Sequence, residues 1–297
     1  GRKVREMGYQ WTDEGWVSRD ITFQSEHITE DDTIQEIIFA QHPDNQITCL
    51  SSEGNVITCT YERTYGVIGW AKHTTEGEVI SLNTVQNFGS SLVGCLTNRG
   101  QTDDSDNNLM HFEIFDRHVQ VDSALTAISQ TEKAVWDGLD HLEGEQVTVL
   151  TWEPDEAGED GFINGTYAAH IPTSVINGSI ILSNYTTRII VGKAYTGRIT
   201  TLPIDYADQV GRSQAYNKRW NKIYVRLLES ASPVINGETI PDRTPATPMD
   251  TVEPLITRDI MVSNLGYSRW GAIVIESSDP YPCSVLGVFG ELGREVL

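Results

Sequence analysis

The amino-acid sequence predicts an all-β protein built from antiparallel sheets. Short segments that alternate apolar and polar residues recur along the chain, and turns rich in Gly, Pro, Asn and Asp separate them. No long segment keeps the apolar period of about 3.6 residues that an amphipathic helix requires. We therefore expect little helix, with antiparallel β-propeller-type blades in the first part of the chain. A compact antiparallel β-barrel or sandwich domain should follow.

Closely spaced strands in the first part of the chain predict the blades. Glu53-Gly54-Asn55 is a hairpin signal between two alternating segments, and His73–Gly77 marks a later turn. Four antiparallel strands within roughly forty residues match the size of one propeller blade. The predicted strands are Gln46–Leu50, Val56–Tyr61, Gly66–Lys72 and Glu78–Val85 in one blade, then Leu92–Thr97 and Leu109–Phe115 in the next.

The stretch Asp137–Leu150 separates two different strand patterns. Gly138 and Gly144 bracket a short corner that contains Asp140 and His141, and an alternating strand follows it. We place the domain boundary here, which gives a propeller-like portion at residues 1–136 and a barrel or sandwich domain at residues 137–297. The strands expected after the corner are Gln146–Trp152, Tyr167–Pro172, Ser179–Ser183, Arg188–Gly192, Ile223–Leu228, Ala272–Ser277 and a Pro-gated final strand within residues 279–288.

Two kinds of connection organise this second part. Asn164-Gly165, Asn177-Gly178 and Asn236-Gly237 each follow an isoleucine, and Asn-Gly supplies the two residues with positive φ that a type I′ turn needs. Residues 233–254 contain several prolines, which predict a long exposed loop.

Charge and cysteine content narrow the class of protein. The formal charge of −21, spread over the whole chain, disfavours tight wrapping of nucleic acid and binding to anionic membranes. There is neither a transmembrane run nor a signal-peptide pattern. Four Cys do not make a disulfide framework. Cys49 and Cys59 would be cross-strand neighbours if the register allowed it, but two reduced, half-buried thiols are the preferred interpretation.

No arrangement of residues predicts catalysis, a metal or a cofactor. Asp104–Asn108 imitates the start of a calcium loop, but Leu109 and Phe115 stand where Gly and Glu are needed, and Pro154–Asp160 is equally acidic and unspecific. Asp140-His141 has no identifiable nucleophile partner, so we expect its His to hydrogen-bond the backbone. We therefore expect no enzyme activity.

One basic and aromatic cluster is a weak candidate for contacting phosphate or a partner. Asn217–Lys222 contains Lys218, Arg219 and Lys222 around a Trp. Such a cluster can touch a phosphate backbone. In so acidic a chain it is more often a face that forms salt bridges.

Taken in order, several stretches resemble the tail tubular B, or tail nozzle, proteins of short-tailed bacteriophages, including those called phage stabilisation or hub proteins. The resemblance covers most of residues 45–290. It lies in a blade motif, in the glycine-bracketed corner and in a downstream series: Glu53–Tyr61 and Val67–Gly77; Gly138–Val147; and Val191–Tyr195, Thr200–Pro203 and Asn217–Arg219.

The resemblance implies a structural virion component without catalytic residues. The protein would form an oligomeric ring, commonly a hexamer, at the end of the tail tube through which double-stranded DNA is ejected. Its partners would be copies of itself, the tail adaptor and tail fibres or spikes. Assembly would take place in the cytoplasm of the host bacterium, without membrane insertion. Family members usually have a longer N-terminal part, so we expect this chain to lack part of the propeller.

A second hypothesis comes from a different class of protein. A β-rich protein that binds or degrades glycans at a host cell surface would need exposed aromatic rings, and Trp11 and Trp16 could stack on sugars. Two carboxylates would have to carry out the hydrolysis. With 42 Asp and Glu in the chain, a chance pair carries no information.

Overall fold

The computed structural model confirms an all-β chain made of several antiparallel sheets. It describes residues 1–12, 14–30, 32–87, 89–102, 108–116, 118–153, 166–169, 172–205, 207–208, 211–213, 216–241, 255–263 and 266–294. The helices that lie wholly in these ranges are two short 3₁₀ segments, Phe23–Ile28 and Asp140–Leu142. The chain divides into two compact units, Gly1–Asp116 and Arg117–Leu297, which we describe separately.

The strands of the first unit form three antiparallel sheets. They are β1 (Arg5–Gln10), β2 (Gly15–Asp20), β3 (Ile34–Ala40), β4 (Gln46–Ser51), β5 (Val56–Glu62), β6 (Val67–His73), β7 (Glu78–Asn87), β8 (Ser90–Thr102) and β9 (Asn108–Ile114). β1 pairs with β2, the second sheet has the order β3-β4-β5-β6, and the third has the order β7-β8-β9. The hairpin predicted at Glu53-Gly54-Asn55 joins β4 to β5, with Gly54 at a φ of +72°.

The predicted grouping of strands into blades is wrong by one strand. β3, which the sequence did not reveal, completes the sheet of β4, β5 and β6, whereas β7 starts the next sheet. Burial explains the difference. Val79 and Leu82 on β7 pack with Leu50 and Val56 of the neighbouring sheet in one apolar cluster, so β7 faces that sheet and does not lie beside β6.

Asp32 ties the start of β3 to the turn after β4. Its Oδ1 accepts hydrogen bonds from Thr33 N at 2.8 Å, Ser52 Oγ at 2.6 Å and Glu53 N at 3.2 Å. The side chain is buried. Burial opposes ionisation, but hydrogen bonds to the charged form outweigh it and lower the pKa of Asp32 to about 2.

Replacing Asp32 by Asn should remove a pH-dependent part of the stability of the first unit. The folded pKa of about 2 lies below the reference value of 3.8. The carboxylate therefore stabilises the fold fully above that reference value, and its contribution is lost as pH falls through the folded pKa. At neutral pH, Asp32→Asn should lower the free energy of unfolding by about 2 kcal/mol. Hydrogen exchange in β3 and β4 as a function of pH measures this, and a difference from wild type that is constant with pH would contradict it.

The second unit contains four antiparallel sheets in its described residues. Its strands are β10 (Asp122–Asp137), β11 (Gln146–Glu153), β12 (Thr166–Ala169), β13 (Thr173–Ser174), β14 (Ser179–Lys193), β15 (Gly197–Thr200), β16 (Ala207–Asp208), β17 (Gly211–Arg212), β18 (Lys218–Ser230), β19 (Val234–Ile235), β20 (Ile256–Ser263), β21 (Tyr267–Ser268), β22 (Val274–Ser277) and β23 (Ser284–Arg294). One large sheet has the order β10-β14-β11-β12, with β13 on β11. Another has the order β20-β18-β21, with β23 also on β18. None of these sheets closes into a barrel over the described ranges.

Each large sheet of this unit has its own apolar core. The first core contains Trp136, Val149 and Ile189, and the second contains Ile223, Val225 and Ile275. The smaller sheet β15-β22-β19 contributes Ile235 and Ile275 to the second core. Ile235 is fully buried, so the part of the predicted exposed loop that holds β19 is not exposed. Residues 242–254 of that loop lie outside the described ranges.

The two units divide earlier than the sequence predicted. The boundary lies between Asp116 and Arg117 and not at Asp137, because β10 pairs with β14 along most of its length and so belongs to the second unit. Bulges interrupt this ladder and break the alternation that would have revealed β10 in the sequence. The two short strands predicted within residues 179–192 are one continuous strand, β14.

Candidate functional site

The corner after β10 is a compact backbone turn over the first core of the second unit. Gly138 and Gly144 have φ values of +87° and +77°, a conformation that glycine adopts without a steric penalty. Between them lies the 3₁₀ segment Asp140–Leu142, and Leu139 and Leu142 are buried in the core beside Trp136. The corner therefore reverses the chain while placing two leucines in the core.

The corner holds the Asn177-Gly178 turn. Both residues have positive φ, as a type I′ turn requires. The Glu143 carboxylate accepts hydrogen bonds from Asn177 N at 3.0 Å and Gly178 N at 2.7 Å. Leu139 N donates to Gly178 O at 2.9 Å. Glu143 is a positioning residue that sequence reasoning missed, because nothing local in the sequence links the corner to a turn so far along the chain.

The turn fits the corner so closely that a side chain at Gly178 would collide with it. A Cβ at Gly178 would lie 2.2 Å from Asp140 Oδ1, whereas a Cβ at Gly237, in the matching turn after β19, would meet nothing within 4 Å. We expect Gly178→Ala to destabilise the second unit by about 2 kcal/mol and Gly237→Ala by about 1 kcal/mol, since both add backbone strain but only the first also forces the Asp140 side chain to rotate away. Urea unfolding measures both changes.

A double-mutant cycle separates the two causes. In an Asp140→Ala background the collision is absent, so the cost of Gly178→Ala should fall to that of Gly237→Ala. An unchanged cost in that background would mean that the clash with Asp140 is not the reason.

His141 bonds the backbone, as the sequence predicted. Its Nε2 lies 3.2 Å from the carbonyl oxygen of Ser123. The Ser123 hydroxyl is buried, and the residue has a strained φ of +53°. A Ser–His pair needs the ring nitrogen on an accessible hydroxyl. This geometry fixes the path of the corner against the start of β10 and offers no hydroxyl to a substrate.

The three residues of the basic cluster have different surroundings. Lys218 is buried, and its Nζ donates to Ile204 O at 2.7 Å, so the suggestion that it contacts phosphate is wrong. Arg219 is exposed and lies over the ring of Tyr267, with its Cζ 5.1 Å from the centroid. Lys222 is exposed on the same strand. Arg219 and Lys222 are therefore the members of the cluster that a partner could reach.

Polar side chains of the blade motif form hydrogen bonds within the first unit. Trp70 Nε1 donates to Ile21 O at 2.9 Å, and His73 Nε2 lies 2.8 Å from Thr58 Oγ1. Thr75 Oγ1 accepts a hydrogen bond from Arg99 at 3.1 Å. Each of these polar groups therefore has a partner within the unit.

Cys49 and Cys59 do not form a disulfide bond. Cys49 lies opposite Ile57 and Cys59 opposite Ile47, so the two thiols are diagonal neighbours across β4 and β5. They are fully buried, not half-buried, and burial raises the pKa of Cys49 to about 12 and that of Cys59 to about 11. Neither thiol is poised to react at neutral pH.

The two acidic loops considered as metal sites fall mostly outside the described residues, since 103–107 and 154–165 are not among them. In the part of the chain that the structure describes, no three His, Cys, Asp or Glu side chains come together as a metal site. A small polar cleft in the second unit is lined by Gln120, Tyr195, Asp279, Tyr281 and Cys283 among others.

Comparisons with known proteins leave the chain without an assigned family. No protein-family model matches it, and a search of curated proteins found no significant match. The helices of the described ranges are all too short to cross a membrane.

Proposed function

We propose that this protein is a structural component of a short-tailed phage tail, an oligomeric tube or nozzle through which DNA leaves the particle. The sheets β3–β6 and β7–β9 would be consecutive blades of a propeller, and the second unit would follow them. The observation that carries the proposal is the set of contacts made by the residues that resemble the phage tail family. In both units these residues make contacts within the scaffold.

Two sets of contacts make this observation concrete. In the first unit, Trp70 and His73 hydrogen-bond within the unit. In the second, His141 bonds a backbone carbonyl and Gly144 permits the left-handed turn of the corner. In a catalytic motif, polar groups would instead point together into an accessible space. Internal contacts of this kind are typical of a structural protein.

Exposed apolar strand faces also support an assembling protein. On the sheet β7-β8-β9, Met110, Phe112 and Ile114 point outward from β9, and Phe112 is 68% exposed. The Phe112 ring lies next to Gly94, where a Cβ would come within 2.8 Å of it. Apolar side chains exposed together on one strand face are the kind of surface that a subunit interface buries.

The charge supports a role in DNA passage. With a formal charge of −21, a channel lined by this chain would repel phosphate. DNA would then remain mobile, because attractive contacts between Lys or Arg and phosphate would slow it.

Electron microscopy of the purified protein and of virions tests the proposal. We expect rings with a central channel, and the same density at the tip of the tail. A protein that stays monomeric at high concentration and is absent from particles would overturn it.

A glycan-binding protein is the second candidate, favoured by the exposure of Trp11 and Trp16 on the β1–β2 hairpin. Release of sugar from bacterial polysaccharide, lost when single carboxylates are replaced, would establish it in place of the structural role.

A further inference from the structure

The β1–β2 hairpin is joined to the first unit mainly at its base. β1 and β2 pair only with each other among the described residues. Val4 precedes β1 and Ile21 follows β2, so both lie at the base, where they are buried in an apolar cluster with Cys49 and Ile57. Partway along, Arg63 forms an ion pair with Glu6 at 3.2 Å. The hairpin is thus anchored at its base and by Glu6 on one face, while most side chains of the opposite face are exposed.

Large apolar side chains cover that other face and the tip. Met7, Tyr9 and Trp16 share the face through the register of the two strands, and Trp11 follows at the turn. Their exposures are 68%, 44%, 70% and 85%, respectively. Because a large side chain can bury some 150–250 Å², they present on the order of 500 Å² of apolar surface. That is as large as the largest patch on a typical monomer.

The aromatic rings of the hairpin pack against one another. Tyr9 lies edge-to-face with Trp11 at 5.2 Å and with Trp16 at 5.9 Å between ring centroids. The rings therefore form a ridge and not a single plane. A sugar stacks on a flat aromatic face, so this arrangement suits insertion into a protein surface better than binding of a glycan.

The charges of the hairpin indicate what kind of surface it fits. Its strand carboxylates, Glu6 and Asp20, are neutralised by Arg63 and Lys3. Arg5 is exposed on the face of the aromatic residues and donates to the carbonyl oxygen of Ser18 at 3.4 Å, whereas Arg19 is exposed on the opposite face. Within the described ranges neither forms an ion pair with a carboxylate. The hairpin thus presents aromatic rings together with guanidinium groups that no carboxylate neutralises, and aromatic residues and Arg are enriched at binding hot spots. Its complement is a surface that is both apolar and acidic.

We propose that the hairpin β1–β2 is an arm that binds a second copy of this chain. A second copy supplies both properties, since the chain carries a charge of −21 and exposes apolar strand faces. The inference deepens the proposed function and rests on it, because it names the surface through which neighbouring subunits join. About 500 Å² is more than half of the roughly 800 Å² that each partner contributes to a standard interface.

Sedimentation analysis of a double variant tests the arm. Trp11→Ser with Trp16→Ser should leave the fold unchanged, since both side chains are exposed, and should weaken assembly at least about 30-fold. Trp270→Ser is the matched control, because Trp270 is 65% exposed in the second unit and outside the hairpin. It should assemble like the wild type. Circular dichroism and thermal unfolding verify that each variant is folded.

A charge reversal tests the electrostatic half of the argument. Arg5→Glu with Arg19→Glu should also weaken assembly, and the loss should shrink as salt screens the repulsion. Equal assembly of both double variants and the wild type would overturn the arm while leaving the ring proposal intact. A monomeric wild type would instead overturn the ring proposal together with the arm. Loss of polysaccharide binding in the Trp double variant, with assembly unchanged, would assign the hairpin to glycans and overturn its role as an arm.

Discussion

Replacing Arg99 by Ala should destabilise the first unit by about 3 kcal/mol or more, one of the two largest effects expected for a single substitution. The Arg99 side chain is 6% exposed and pairs with Glu113 in a bidentate arrangement, with distances of 2.6 Å and 2.7 Å. Its remaining nitrogen donates to Thr75 Oγ1 and to the carbonyl of Glu76. Truncation would leave a partly buried carboxylate and two acceptors without their donor.

The size of this effect depends on burial, and a second ion pair provides the control. Arg226 and Asp259 form an equally good bidentate pair at 2.7 Å and 2.8 Å, but both side chains are exposed. Arg226→Ala should therefore cost far less, because solvent screens the pair and rehydrates the remaining carboxylate. Urea unfolding, followed by hydrogen exchange to separate the units, measures both. Equal losses would show that burial is not what makes the Arg99 pair important.

Replacing the pair as a whole separates charge from packing. If the loss in Arg99→Ala comes mainly from the unpaired carboxylate, Arg99→Met combined with Glu113→Leu should recover most of it. A double variant as unstable as Arg99→Ala would instead assign the loss to the hydrogen bonds with Thr75 and Glu76.

Gly77→Ala should destabilise the first unit by about 4 kcal/mol. Gly77 has a φ of +102°, a conformation that L side chains rarely adopt. A Cβ there would lie 2.3 Å from the carbonyl oxygen of Asn98, which is a backbone atom of β8 and cannot move aside as a side chain could. The turn and the neighbouring strand would have to separate. That movement would also displace Arg99 from its partners in the turn.

Gly66 is the matched control in the same unit. Its φ is +69°, and a Cβ would meet nothing within 4 Å. Gly66→Ala should cost about 1 kcal/mol, from backbone strain alone. Hydrogen exchange in β7 and β8 should increase strongly in Gly77→Ala and little in Gly66→Ala. Similar exchange in both variants would show that strain, and not the contact with β8, limits position 77.

Local chemistry made several elements predictable. The hairpin at Gly54 and the turns at Asn177-Gly178 and Asn236-Gly237 follow from residues that accept positive φ, and the structure confirms each of them. The third Asn-Gly pair lies outside the described residues. The low helix content was also predicted correctly, because helix needs an apolar period that this chain does not have.

Long-range packing decided what the sequence could not show. The assignment of β7 to a new sheet depends on which surface Val79 and Leu82 bury, and the alternation of a strand does not specify its neighbour. The burial of Lys218 depends on a carbonyl at Ile204, which no pattern of charges predicts. For the same reason the sequence showed the corner and the Asn177-Gly178 turn but not that Glu143 joins them.

By itself, the sequence determined that the chain forms β-strands and where many of its tight turns lie. Both depend on the conformational preferences of a few adjacent residues. Tertiary structure alone decided where the units divide, which strands share a sheet and which side chains make internal contacts. Each of those depends on burial and hydrogen bonding between residues far apart in the chain, and such contacts exist only once the strands have packed.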